Sequence, residues 1–579
     1  MYGLFGTIGE QVHWDFSGFK RLDLTHRELS EERFNVHQIT LPKFLNDKYF
    51  YDNGECFIAT EGVLFEADSP QKAIERYQQG DEFFWKDWRG SFCGVLYDRT
   101  KDVLLLFNDH IGSKMLFYAT LPSGIVFGSD LYTIAKAIGS LPDNNAFAWQ
   151  LLIYGYALRG DTIYSSIRRI EAGHFIRREG DQVSYDIYHR FDNTPNTLSI
   201  EENIDRLNTA FRRAVERAVR KNEEYGYTHF LPLSAGLDSR MTNRVAHEIA
   251  ATPIHNITYS QSGFYDETTP HQLAQYWHHQ WHFTPLDGGE CLKELDEVSR
   301  ITCGLIHYSG AAETLYGLPD LAKKEAGVFL TGMVGDIIVG TAYTERNPHQ
   351  TYHMGDGAIV HKWINEMAEN VELADFDRLY DNREIYYLYV RGFSCANLGS
   401  PLIHQAYGES FSPFCDVDVI ETAYAAPLEQ RWQNRMYDQW IKTYYPDMLQ
   451  WLHNGIYKIG QRPKVISLFG RAIAWNQVPK RILWYILKKA HIRDYYKEEE
   501  GNSMNPEDSW FEKNESLSDW ANLYVNANIG ELSSFPRLYE IALALYKGTA
   551  MEKMQVLTLL ACLRQTHAVM NTNDAVIAP

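Results

Sequence analysis

Hydrophobic positions recur along the chain with two periods, and the change of period divides it. Up to about residue 190, apolar runs of four or five residues stand between Gly, Asn and Asp: 56–60 (CFIAT), 94–97 (GVLY), 103–107 (VLLLF) and 124–127 (GIVF). Short runs bounded by turn formers predict strands. A helical patch at 73–79 interleaves, so this half reads as a layered α+β domain. The polar stretch 191–199 (FDNTPNTLS) predicts a linker. Ser199 with Glu202 then makes a capping-box pattern, and Ile204, Leu207, Phe211, Val215 and Val219 follow at helical spacing to about Arg220. Beyond that helix, strand-like runs at 229–233, 254–259 and 327–330 alternate with helical ones. The alternation predicts a parallel sheet of α/β type with ligands at the carboxyl ends of its strands. The rest is mainly helical, apart from 497–509 (KEEEGNSMNPEDS), which reads as a mobile loop. Two domains are expected, 1–195 and 196–579, because 579 residues exceed one ordinary core.

Composition narrows the function classes. With 55 basic and 75 acidic residues the net charge is −20, which argues against general affinity for nucleic acid or anionic membrane. The seven cysteines are scattered, odd in number and without a CxxC pair, so neither a disulfide framework nor a zinc ribbon is expected. The start of the chain lacks the basic and apolar regions of a signal peptide, and no run reaches the ~20 apolar residues of a membrane span. The apolar segment 481–488 (RILWYILK) is too short to span and reads as a buried helix. A cytoplasmic protein with reduced thiols is the expectation.

Candidate chemistry centres on Leu233-Ser234-Ala235-Gly236-Leu237-Asp238-Ser239. A strand ends, a small-residue loop turns and a helix begins, so backbone N–H groups can approach phosphate oxygens at a helix N-terminus. Asp238 would hold Mg²⁺ rather than the phosphate itself. Taken alone, the loop could equally be a polar strand–helix turn.

The loop resembles the SGGxDS motif of N-type ATP pyrophosphatases, and a second segment extends the likeness. Thr331-Gly332-Met333-Val334-Gly335-Asp336-Ile337-Ile338-Val339-Gly340 is similar to the SGEGADELFGG element of asparagine synthetases. The resemblance implies ATP at the loop, the adenine near Thr258 and Tyr259, and Asp336 sharing the metal with Asp238. Thr331 and Gly332 would face the pyrophosphate. Asp266-Glu267 stands where the family has an acidic pair, and Pro413-Phe414-Cys415-Asp416 resembles its PFLD. The first half matches in order too. Met1 to Gly6 resembles the MCGIxG start of the glutaminase domain, and 109–118 (DHIGSKMLFY) its RDRFGxKPLYY segment. Residues 124–130, 160–162 and 171–174 are similar to later elements. An Ntn-hydrolase-like first domain is implied.

The departures carry most information. The family's nucleophilic Cys is here Tyr2, and a phenol does not replace a thiolate attacking a carboxamide. The family's Asn-Gly-Glu glutamine clamp is here Glu61-Gly62-Val63. Both changes imply a degenerate amidotransferase domain, as in β-lactam synthetases and lasso-peptide cyclases. Met333 stands where asparagine synthetases have Glu, and methionine accepts no proton; Glu313, Asp416 and Glu409 are replacements by position only. Ala235 replaces a glycine, which costs ~1 kcal/mol or more only at positive φ. Arg240 would contact a phosphate or substrate carboxylate, or form a helix salt bridge. A transition-state-stabilising lysine is implied among Lys442, Lys458 and Lys464, with Lys458 and Lys464 favoured. His278, His279 and His282 could bind a metal by spacing, though a polar helix end explains them without one.

These readings combine into an ATP- and Mg²⁺-dependent ligase that adenylates a carboxylate of a small molecule or peptide and joins it to an amine. The amine would not come from glutamine hydrolysed in place. Lactam or peptide cyclisation and amidation of a sugar acid or amino acid both stay open, with a precursor peptide or pathway protein as partner. A nucleotide-binding scaffold without ligase activity is the alternative.

Overall fold

A computed structural model describes residues 2–570 except 20, 22, 140, 341–350, 354, 372–378, 454–456, 459–464, 469–470, 475–477 and 480–502. Lys464 and the 481–488 segment therefore lie outside the described residues, and Lys458 is described by its backbone only.

The first half folds into two antiparallel six-stranded sheets. One contains β1 (Gly3–Ile8), β2 (Thr25–Ser30), β3 (Phe34–Thr40), β8 (Phe117–Leu121), β9 (Gly124–Gly128) and β10 (Arg168–Arg169), in the order β10-β8-β9-β1-β3-β2. The other contains β4 (Phe50–Asp52), β5 (Cys56–Glu66), β6 (Arg89–Asp98), β7 (Val103–Asn108), β11 (His174–Glu179) and β12 (Gln182–Ile187), in the order β12-β11-β7-β6-β5-β4. Strand alternation sends Phe57, Ala59, Val95, Leu104 and Leu106 toward Leu4, Ile8, Phe34 and Val36 of the opposite sheet. The intervening positions Ile58, Leu96, Leu105 and Phe107 pack under helix Pro70–Gln78 with Trp85 and Trp88. Both faces are covered, which is why these strands read as continuous apolar runs rather than alternating ones. The expected helical patch at 73–79 is the C-terminal part of Pro70–Gln78.

Helix Ile200–Tyr225 carries the anticipated capping box, runs one turn past Arg220 and ends on Gly226 at φ 71°. After it comes a five-stranded, wholly parallel sheet: β13 (Thr228–Pro232), β14 (Ile254–Ser260), β15 (Gln280–Pro285), β16 (Ala326–Leu330) and β17 (Glu409–Phe411), ordered β15-β14-β13-β16-β17. The order reverses between β13 and β16, so the segments leaving their carboxyl ends diverge and open a crevice there. Helix Glu507–Lys513 begins inside the stretch expected to be a loop.

The halves share a core. Helices Pro536–Tyr546 and Ala550–Met570 place Leu538, Ile541, Met554, Leu557 and Leu560 against Leu151, Leu152 and Phe117, on the outer face of the first sheet. Polar contacts add to this seam: a buried Lys114–Glu409 pair at 2.6 Å, a partly exposed Arg89–Asp418 pair at 2.8 Å, and Gln405 Nε2 donating to the Ser113 carbonyl at 2.9 Å. Among the described residues no helix is long and apolar enough to cross a membrane. All seven cysteines are free thiols.

Candidate active site

The sheet crevice brings together two loops far apart in sequence, joined by a contact that spans 98 residues. The loop 234–236 joins β13 to helix Leu237–Ile249, whose N-cap is Gly236, and no side chain caps it. Its first-turn N–H groups thus remain available for an anion. Internal hydrogen bonds set the loop's shape. Ser234 N–H donates to Ser239 Oγ at 3.1 Å, the two hydroxyls lie 2.9 Å apart, and Gly236 N–H donates to Ser234 Oγ at 3.2 Å. Ala235 N–H donates to Asp266 Oδ1 at 2.7 Å, which gives the first of the acidic pair a structural role; Glu267 accepts from Gly263 N–H. Ala235 has no positive φ, so alanine costs nothing there.

The second loop leaves β16. Thr331 is held by its N–H to the Phe411 carbonyl at 2.8 Å, and its own carbonyl accepts from Thr242 Oγ1 at 3.2 Å. Gly332 lies flat on the first loop: a Cβ there would meet Ser239 N at 2.3 Å and the Asp238 carbonyl carbon at 2.5 Å. At Gly335 a Cβ would meet Asp238 Cγ at 2.5 Å. These glycines allow Asp336 N–H to donate to Asp238 Oδ2 at 2.9 Å, while Tyr437 Oη donates to Asp238 Oδ1 at 2.8 Å. Gly332→Ala is expected to lower stability by about 1–3 kcal/mol through overpacking against backbone. Gly530→Ala, where a Cβ meets nothing within 4 Å, should leave the melting temperature unchanged in the same thermal scan.

The electrostatics of the pair fit a cation. Burial first, and then the charge of Asp336, raise the Asp238 carboxyl above its ordinary range. Burial likewise raises Asp336. Two carboxylates forced together in this way are stabilised by a divalent ion between them. Backbone N–H groups and then the positive charge of Arg391, on the π-helical turn Leu388–Phe393, partly offset the rise at Asp336. No motif singles out Tyr437 or Arg391; Tyr437 lies 199 residues beyond its partner Asp238.

Other expected residues fall as follows. Thr258 and Tyr259 end β14 beside the loop, with Thr258 Oγ1 donating to the Leu233 carbonyl at 2.9 Å and Tyr259 Oη 3.0 Å from Thr314 Oγ1. Both side chains are engaged by protein, and the strand is paired on both sides, with β13 and with β15. Among the described residues Arg240 makes no helix salt bridge; its Nη2 is taken by backbone carbonyls, while its Nε and Nη1 meet no hydrogen-bond partner there. Only 1% exposed, it donates to the carbonyls of Ala235 and Leu452. Asp416 caps helix Val417–Ala425 and pairs with Arg217 at 2.9 Å, and Glu409 pairs with Lys114, so both serve the interior. Glu313 is buried, and burial pushes its carboxyl up to about 8. Lys442 is exposed on helix Arg435–Tyr444. The three histidines do not converge. His279 Nε2 meets His247 Nδ1 at 3.1 Å, His282 Nε2 meets His255 Nδ1 at 3.0 Å, and His278 caps a helix at φ 57°. A different group, His26, Glu28 and His37, lies on neighbouring positions of β2 and β3 with a 3.2 Å contact between imidazole nitrogens, which one shared hydrogen explains.

Around Tyr2 the described residues leave little space. Its ring packs edge-on to Phe19 at 5.4 Å. The space beside it, lined by Glu61, Lys114, Ser129, Gln405 and Glu409, measures about 10 Å³, room for no more than a water. Glu61 Oε1 meets Lys48 at 3.1 Å and accepts from the Thr40 hydroxyl at 2.8 Å.

Two family models match the chain: a glutamine amidotransferase domain over residues 59–189 and asparagine synthase over residues 206–384. Asparagine synthetase [glutamine-hydrolyzing] 1 of Bacillus subtilis (strain 168) is 21% identical over 341 residues, 57% of this chain and 52% of that protein. Asparagine synthetase [glutamine-hydrolyzing] 3 of the same organism is 24% identical over 348 residues, 55% of this chain and 53% of that protein. The chain thus spans about half the length of these curated relatives. A solved glutamine phosphoribosylpyrophosphate amidotransferase from B. subtilis covers 49% of this chain and 91% of its own at 10% identity, with a TM-score of 0.22, too low to bear on the fold.

Proposed function

The chain belongs to the asparagine synthetase family, and from that premise we propose that it is an ATP-dependent ligase forming an amide by way of an acyl-adenylate. The observation that carries this reading is the meeting of Asp238 and Asp336 over an uncapped helix N-terminus at the point where the sheet order reverses. ATP lies with its phosphates on the 234–239 loop and its adenine against the end of β14. A substrate carboxylate attacks the α-phosphorus, pyrophosphate leaves, and an amine then displaces AMP from the acyl carbon. Mg²⁺ would be held by Asp238 and Asp336, and it supplies neutralisation of the triphosphate charge. The chain's own contribution is to align acid and nucleotide, with Lys458 or Lys464 countering charge on the phosphate.

The amine comes from the second substrate rather than from glutamine. Tyr2, the Glu61–Lys48 pair and the 10 Å³ space beside them support this. The first domain, an Ntn-hydrolase-like fold by family, serves as a wall and support for the second. Met333 takes no proton, so the amine reaches the acyl carbon already neutral or passes its proton to a group outside the 331–336 loop.

Carboxylate-dependent exchange of labelled pyrophosphate into ATP tests the reading. A panel of amino acids, sugar acids and peptides with free carboxylates is expected to contain at least one that supports exchange. ATP binding with no exchange across the panel would favour a nucleotide-binding scaffold. Glutamine should yield no ammonia; ammonia release that disappears in Tyr2→Phe would overturn the account of the first domain.

A further inference from the structure

Arg240 is buried in a way that its place in the sequence does not explain. It stands two residues after Asp238 on helix Leu237–Ile249, where a long cation could reach a phosphate. Its guanidinium is buried against the loop's own backbone, with Nε and Nη1 left without a hydrogen-bond partner among the described residues. One nitrogen, Nη2, donates both to the carbonyl of Ala235 within the phosphate loop and to the carbonyl of Leu452. Removing a guanidinium from water costs several kcal/mol, so a buried one is retained where its hydrogen bonds fix something.

What it fixes is a pair of short strands. Leu452–His453 pairs antiparallel with Tyr457–Lys458, Leu452 standing opposite Lys458. Two links therefore separate the phosphate loop from Lys458: the Arg240 bond to Leu452, and the backbone pairing of Leu452 with Lys458. One helical turn further on, Arg244 holds Asp447 at 2.7 Å, just ahead of these strands. Residues four apart share a helix face, so one face of Leu237–Ile249 grips the 447–452 segment at two points. Its first turn is joined through Asp238 to Tyr437. Lys442, on an exposed helix position, has no comparable connection to the loop among the described residues.

We propose that Arg240 is a positioning residue that locks the paired strands Leu452–His453 and Tyr457–Lys458 onto the Ala235 carbonyl, so that the phosphate loop and the backbone at Lys458 keep one register. The inference rests on the ATP-dependent reading for its catalytic meaning, but not for its geometry.

Two measurements on the full chain decide it. Without nucleotide, Arg240→Met is expected to speed amide hydrogen exchange in peptides spanning 450–459 by about tenfold while strand β14 is unaffected. Exchange unchanged at 450–459 would overturn the tether. Arg240→Lys, which keeps a charge and donors, should fall between the two and serves if the Met variant does not fold. Next, an acyl-phosphate derivative of ATP, which acylates lysines beside the phosphates, should label Lys458 in the wild type. In Arg240→Met the labelling rate at saturating probe is expected to fall about tenfold with little change in the half-saturating concentration, the split anticipated for misplacement rather than lost binding. Undiminished labelling of Lys458 would also overturn the proposal. If the wild type binds no probe, the ATP reading fails while the exchange experiment still decides the tether.

Discussion

Asp238→Asn is expected to reduce carboxylate-dependent ATP–pyrophosphate exchange by about 10²–10³-fold, the range for losing one preorganised group that stabilises developing charge. The substitution is nearly isosteric. Its amide oxygen can still accept from Asp336 N–H or from Tyr437 Oη, so the two loops remain joined. What disappears is one of two carboxylates that burial and mutual repulsion hold in an unfavourable state. Thermal stability should therefore stay the same or rise while activity collapses, an opposition expected where a site stores electrostatic strain for a ligand. Asp336→Asn should behave alike. Exchange retained within tenfold of wild type, or a lowered melting temperature, would remove the pair from the metal role.

The second large effect lies at the seam between the halves. Glu409→Ala is expected to destabilise the protein by about 3–5 kcal/mol, because it strands the Lys114 ammonium without its partner. The two side chains are 8% and 2% exposed and 2.6 Å apart, and Lys48–Glu61 lies close enough for its charges to act on Glu409. Burial raises the Glu409 carboxyl, and the neighbouring lysines oppose that rise. Lys114→Met combined with Glu409→Leu should recover most of the loss, since replacing both partners leaves no unpaired charge. Denaturant titration of the single and double variants gives the comparison. A single variant as stable as wild type would mean that water reaches this pair. If the double variant were no better than the single, the charges would be needed for more than each other.

Much of the fold was legible because it depends on neighbours in sequence. The capping box at Ser199 and Glu202, the Gly226 stop and the apolar face from Ile204 to Val219 are local chemistry, and the helix forms where they place it. The three inner strands of the parallel sheet, β13, β14 and β16, read clearly because each carries clustered apolar residues between helical stretches. The two edge strands did not. β15 (QWHFTP) mixes polar and aromatic residues, and β17 (ESF) has three residues; each is a strand only because a neighbour offers a free edge. The same difference explains the histidines. His279 and His282 look like ligands one turn apart, yet a strand begins at Gln280 and sends them to separate partners.

Sequence alone determined the chemistry that is carried by residue type: a small-residue loop before a helix, an acidic residue in each of two loops, a phenol where a thiol would be needed, and a methionine where a base would be needed. Tertiary structure decided what each residue does with its neighbours. It bent Arg240 inward onto two carbonyls, gave Asp266 to the loop, Asp416 and Glu409 to interior ion pairs, and Tyr437 to Asp238. The physical reason is range. Propensity, capping and turn chemistry act over a few residues, whereas a buried charge takes whichever partner the packed chain brings within hydrogen-bond distance, here across 199 residues in the case of Tyr437 and 295 in that of Glu409, read as 409 − 114.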